Sequence, residues 1–169
     1  MSVREINLPW MVTAENNLNL KEIPGSRSNP IIMSWAEELG GWIMDFYEND
    51  DIPWCGLFVA HCMKDNNIDI TIKNPLSARA WAKFGEKVKP SFGAIMVFSR
   101  KGGGHVGFYV SEDRYYYHIL GGNQSNSVNV TRVSKKRFLT ARFPTDYVHL
   151  CDNQKIVKEF DGKISTNEE

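Results

Sequence analysis

The segment GLFVAHCM, residues 56–63, is apolar nearly all the way round a helical wheel. A helix of that kind is not amphipathic and has to be covered on every side. A chain of 169 residues has enough material to do this, by placing the helix at the centre of one domain and packing the other elements around it. Pro53 suits the first turn, because the N–H it lacks would go unpaired there anyway. Asp50 or Asp51 is placed to cap that turn, and residues 64–67 end the helix. The residue at the helix start, directly behind Pro53-Trp54, is Cys55.

The chain has three cysteines, Cys55, Cys62 and Cys151. An odd, sparse set does not read as a secreted disulfide framework, so free thiols are expected. A thiol at a helix N-terminus feels the positive end of the backbone dipole, which favours the reactive thiolate. Packing is the alternative for Cys55, since cysteine is among the most buried residue types. Cys62 lies two turns along the same helix with nothing to activate it, and it reads as core, as does Cys151.

A nucleophilic cysteine needs a base, and imidazole is the usual one. Of the four histidines, His61, His118 and His149 fall within apolar or aromatic segments and read as structural. His105 differs: it opens a strand directly after RKGGG, so a flexible loop delivers it to the end of a sheet. An exposed loop histidine is the alternative there. The third group should orient the imidazole by accepting from its other nitrogen. Asn123 and Gln124 end the next strand, and pairing of residues 105–110 with 115–120 would bring them beside His105. An Asn-Gln turn is the competing reading.

Around this segment the chain divides in two. Helices are expected from Pro9, from Pro30 to the Gly40-Gly41 pair, and over residues 77–85. After Pro90 short β-prone runs alternate with turn residues: 93–100, 105–110, 114–123 and 126–134. DYVHLCD reads as one more strand, SKKR as a solvated turn or helix start, and residues 152–169 as a tail or an Asp-Gly hairpin. Helices first and an antiparallel sheet second make an α+β fold. No repeat or linker divides the chain, so residues 1–169 are expected to form one domain.

Twenty basic residues balance twenty acidic ones, which argues against a dedicated nucleic-acid binder. No apolar run approaches the ~18–20 residues that a membrane-spanning helix needs. The N-terminal MSVREINLPWMVTAENNLNL lacks the apolar stretch of a signal peptide. Synthesis in the cytoplasm, without an export signal of the usual kind and without stable membrane insertion, is the expectation.

The blocks PWCGLFVAHCM, GAIMVFSRKGGGHVGFYVSED and LGGNQSNSVNV resemble the CHAP and NlpC-type cell-wall peptidases, which are cysteine- and histidine-dependent amidohydrolases. The likeness is greatest to a branch of small phage endolysin-like proteins, and LKEIPGSRSNPII and SARAWAKFG share in it, so that it covers residues 9–143. The resemblance implies a papain-like fold, with the nucleophile on a central helix packed against an antiparallel sheet. It assigns the nucleophile to Cys55, the base to His105 and the orienting residue to Asn123, with Gln124 as the substitute. Asp51 is a recurring family position, read here as a cap. Trp54 stands where relatives with Asp-Cys-Ser carry another residue. Trp54 and Trp81, with Tyr115, Tyr116 and Tyr117, are candidates for a substrate groove, and core packing is the alternative for each.

Some CHAP domains bind calcium upstream of the cysteine. The acidic DFYENDD, residues 45–51, lacks the spacing and glycine of an EF-hand loop, so calcium is disfavoured. Zinc is more so, because no Cys or His pair shows ligand spacing; no cofactor is expected. The substrate implied is peptidoglycan, cleaved at an amide of the peptide stem by an N-acetylmuramoyl-L-alanine amidase or an endopeptidase. The resemblance further implies a phage endolysin, held in the host cytoplasm until a holin-type partner releases it to the periplasm or cell wall. A secreted antibacterial effector, a non-catalytic wall-binding or virion protein, and a metal-dependent hydrolase are the alternatives.

Overall fold

The computed structural model describes residues 7–23, 28–49 and 52–165. Among these, helices α1 (Pro9–Asn16), α2 (Pro30–Leu39), α3 (Gly41–Phe46) and α4 (Cys55–Lys64) come first, and a 3-10 helix at Ala78–Lys83 leads into the sheet. The strands are β1 (Glu86–Lys87), β2 (Ile95–Arg100), β3 (Gly103–Glu112), β4 (Tyr116–Gln124), β5 (Ser127–Ser134) and β6 (Phe138–Phe143). They form one six-stranded antiparallel sheet in the order β1-β6-β2-β3-β4-β5. The α+β arrangement expected from the sequence is the one observed.

Local chemistry explains the helix boundaries. Pro30 opens α2 and the Asn29 side chain caps it, accepting from the Ile31 N–H at 2.9 Å. Gly40 and Gly41 end it with φ of 63° and 53°, a conformation that glycine adopts without a β-carbon penalty. The helix α3 that follows at once was not expected. Pro53 proves to lie outside the helix it was expected to open: Trp54 holds the N-cap position at φ −127° and ψ 19°. The capping role expected of Asp50 or Asp51 falls outside the described residues.

Every residue of α4 from Cys55 to Met63 is buried, as its apolar circumference demands. The helix reaches the sheet through a glycine on each side. A β-carbon on Gly56 would lie 2.2 Å from the Pro75 carbonyl oxygen, and one on Gly122 would lie 2.7 Å from Cβ of Phe58 and 2.8 Å from the Trp54 ring. Phe108 and Leu120 form a directly opposed pair on this face, and the Phe58 ring meets that of Phe108. Phe98, Tyr109, Tyr117 and Phe138 form an aromatic cluster within the same sheet.

Two segments differ from expectation. DYVHLCD forms a 3-10 helix at Thr145–Leu150, not a strand; Tyr147 packs edge-on against the Trp10 ring, a tertiary contact that local alternation does not encode. The last described residues are neither a loose tail nor a hairpin. Ile156 and Lys158 bond the backbone of Glu112, and Lys163 and Ser165 bond that of Arg132. The second pair covers the free edge of β5, which would otherwise offer unpaired backbone groups. SKKR is a capped 3-10 turn, Ser134 accepting from Lys136 N–H.

The β3–β4 turn is held by a buried polar chain. Asp113 Oδ1 accepts from the N–H groups of Tyr115 and Tyr116, its Oδ2 lies 2.9 Å from His118 Nε2, and His118 Nδ1 lies 2.6 Å from Ser111 Oγ. Asp113→Ala strands a buried imidazole nitrogen and frees the turn. It is expected to lower the unfolding free energy by about 1–3 kcal/mol, read as a shifted urea midpoint at constant slope.

Candidate active site

The N-terminus of α4 meets the sheet at the start of β3. In the β2–β3 register Phe98 stands opposite His105 and Val97 opposite Val106. The Cys55 sulfur is hydrogen-bonded to the His105 side chain and accepts from the Val106 N–H. Both residues are buried, Cys55 at 7% and His105 at 1% exposure. Burial pushes the thiol up. Against it act the His105 hydrogen bond, the charge of that imidazole, the Val106 N–H and the Arg100 guanidinium, which together hold Cys55 below its ordinary value. Cys62 behaves in the opposite way: burial, and then the Asp65 carboxylate, push it well above.

His105 is fixed from its far side. Its Nε2 lies 2.9 Å from Oε1 of Gln124. The amide cannot be the other way round, because Gln124 Nε2 donates to the Ile119 carbonyl at 3.1 Å, the Asn129 carbonyl at 2.7 Å and Asn129 Oδ1 at 3.0 Å. Oε1 therefore accepts, His105 Nε2 carries the proton, and Nδ1 is the nitrogen left to face the sulfur. Asn129 is itself held, donating from Nδ2 to the Gln124 carbonyl and Ser127 Oγ and accepting from Thr131 Oγ1. In its neutral form this imidazole presents a lone pair to Cys55.

Of the two amides at the end of β4, Gln124 is the one that meets the imidazole, and the place expected for Asn123 passes to it. The reason is a break in register between Gly121 and Gln124. Asn123 sits there in the left-handed region at φ 56°, so the strict alternation of side chains fails at this point. A two-residue turn follows, Ser125 and Asn126 both at positive φ. Asn123 is buried beside the site.

Trp54 and Trp81 do not line a groove: both are wholly buried. Trp81 Nε1 donates to the Pro75 carbonyl and its ring packs on Phe84, while Trp54 Nε1 donates to Glu22 Oε1 at 2.7 Å. Tyr115, Tyr116 and Tyr117 lie at the opposite end of the β3–β4 hairpin from His105. Asp51 is outside the described residues. Glu22, Asn129, Thr131 and Arg100 were missed. Ser127, Asn129 and Thr131 form a polar row at period two in β5, a signal that was present; nothing local marks Glu22. His61, as expected, is structural, bonded to Glu38 and stacked on Trp35. Among the described residues no three His, Cys, Asp or Glu side chains gather where they could hold a metal ion.

A thiol of lowered pKa at a helix N-terminus, an imidazole of fixed tautomer and an amide behind it are the groups from which a nucleophile, a base and an orienting residue can be built. Residues 47–123 match the family model of the CHAP domain. The chain carries a CHAP domain. The matched span includes Cys55 and His105 and stops one residue before Gln124. No curated protein and no solved structure gives a match. A CHAP domain is a peptidoglycan-directed hydrolase module of the amidase and peptidase kind, so the arrangement of Cys55 and His105 belongs to a known chemistry.

Two outcomes follow for the site. Iodoacetamide is expected to label Cys55 well before Cys62, at a rate that rises with pH through a midpoint below that of an ordinary thiol. His105→Ala should move the midpoint upward, because burial then acts with less opposition. Peptide mapping after timed labelling reads both. Gln124→Ala should lower kcat by about a hundredfold through loss of tautomer and ring orientation, with unfolding unchanged enough to show a folded protein by circular dichroism.

Proposed function

We propose that this protein hydrolyses an amide of the peptidoglycan peptide stem through Cys55, His105 and Gln124. The observation that carries the reading is the contact of the Cys55 sulfur with an imidazole whose other nitrogen is committed to Gln124. His105 Nδ1 takes the thiol proton, and the thiolate attacks the amide carbonyl. The tetrahedral oxyanion forms at the start of α4, where the Cys55 N–H and the helix dipole favour negative charge. The imidazolium then protonates the leaving amine, a thioester remains on Cys55, and water activated by His105 releases the acid.

Gln124 contributes orientation and not charge. Asn129 and Thr131 hold it, so that the imidazole neither rotates nor changes tautomer between steps. The phage-lysin role rests on the resemblance of the Pro-Trp-Cys, Gly-His-Val-Gly-Phe-Tyr and Gly-Gly-Asn-Gln blocks. With that role go a holin-type release partner and action in the periplasm or wall.

The test is digestion of purified peptidoglycan by the wild type and by Cys55→Ala, with mass spectrometry of the released fragments. Fragments are expected from the wild type, with a loss of about 10⁴-fold or more in the variant. Masses that separate glycan from an intact stem identify an amidase, and cut stems identify an endopeptidase. Equal release by both proteins removes Cys55 from the chemistry. Binding to the wall without any release favours a non-catalytic role.

A further inference from the structure

Beside the catalytic pair, the turn from β2 to β3 gathers positive charge that forms no ion pair among the described residues. Arg100 and Lys101 lie in it, and Arg79 reaches it from the 3-10 helix, donating from Nε to the Gly103 carbonyl at 2.8 Å. Among the described residues the ion pairs are His61–Glu38, His118–Asp113 and Lys135–Glu112, so none of these three cations is paired. Arg100 is the one built into the site. Its Nε is buried and has no hydrogen-bond partner among the described residues, a costly state for a guanidinium donor.

Strand register places this group. Arg100 is opposite Gly103 and Phe98 opposite His105; opposed residues share a face, as do residues two apart on one strand. Arg100 therefore stands on the same side of the sheet as His105, one side-chain step nearer the turn. Gly103 stands directly beside it: a β-carbon there would lie 3.8 Å from both Nε and Nη2 of Arg100, in ordinary contact. The charge is also felt at Cys55, where it favours the thiolate.

Resting on the reading of the site as an amide hydrolase of wall peptides, we infer that Arg100 is a specificity residue that binds a substrate carboxylate adjacent to the scissile amide. The planar fork of a guanidinium matches a carboxylate with two parallel N–H bonds. A peptide stem supplies such groups on its acidic residues, where a carboxamide would leave the buried Nε–H facing another donor or a weaker acceptor. The enzyme thus selects stems with a free carboxylate at that position over amidated ones.

The experiment compares alkylation of Cys55 by iodoacetate and by iodoacetamide, which differ in carrying a carboxylate or its neutral amide. Both form the S–C bond and expel iodide, so a change in thiolate fraction scales both rates alike and leaves their ratio untouched. Arg100→Gln is expected to lower the iodoacetate-to-iodoacetamide ratio at Cys55 roughly tenfold, and Arg100→Lys, which keeps the charge but loses the fork, to lower it by less. An unchanged ratio in Arg100→Gln overturns the assignment. Continued labelling of Cys55 by iodoacetamide shows that the variant's site is folded. In the second arm, stem peptides with free and amidated carboxyl groups are digested. Arg100→Gln should raise KM for the free form and leave the amidated form's KM in place; an equal fall in kcat for both marks an oxyanion donor and overturns carboxylate binding. Should the wild type cut neither, while the alkylation ratio still depends on Arg100, the wall-hydrolase reading fails and the carboxylate site stands.

Discussion

The structure depends on how near α4 is allowed to come to its neighbours. Glycine at positions 56 and 122 removes the two β-carbons that would hold the helix off the Pro75 carbonyl and off the sheet. At that separation the first residue of the helix reaches the start of β3, and the sulfur finds both an imidazole and a backbone N–H. The buried circumference that drives the helix to the centre and the thiol at its end are therefore one design. An apolar helix body sets the depth, and the depth sets the contact with His105.

That contact is chemically useful because the group behind the imidazole is an amide. A carboxylate in the place of Gln124 would stabilise the imidazolium, and it would also add a negative charge near a sulfur that has to become a thiolate. Gln124 fixes the tautomer with no such cost. Positive charge then comes from the other side, from Arg100 at the end of β2. Separating the two tasks, orientation from β4 and charge from the β2–β3 turn, lets a buried thiol ionise although burial alone opposes it.

Much of this was legible in the sequence, for identifiable reasons. The all-round apolar helix, the helix-start cysteine and the glycine-delivered histidine are local signals, and each led to the element observed. The choice between Asn123 and Gln124 was not local. It turns on one left-handed residue that interrupts the alternation of β4, and the resemblance named Asn123 first, with Gln124 as its substitute. Asn129 and Thr131 were visible as a polar row in β5 but had no meaning until Gln124 was placed. The 3-10 helix at Thr145–Leu150 was misread and the strand β6 went unrecognised because the packing of Tyr147 on Trp10, and the pairing of β6 between β1 and β2, join residues far apart in the chain.

The same hairpin carries a second histidine with partners on both nitrogens, and the contrast shows what makes one of them reactive. Ser111, His118 and Asp113 are joined by hydrogen bonds as short as those at the other end, yet nothing there resembles a reaction centre. Ser111 and His118 are buried, with the Phe160 ring lying 5.0 Å from the imidazole. The hydroxyl of the serine ionises far less readily than a thiol. A hydroxyl, an imidazole and a carboxylate in sequence are a polar chain that pins a turn. Cys55 and His105 differ by having a more acidic nucleophile, a helix dipole and a guanidinium whose charge favours the thiolate.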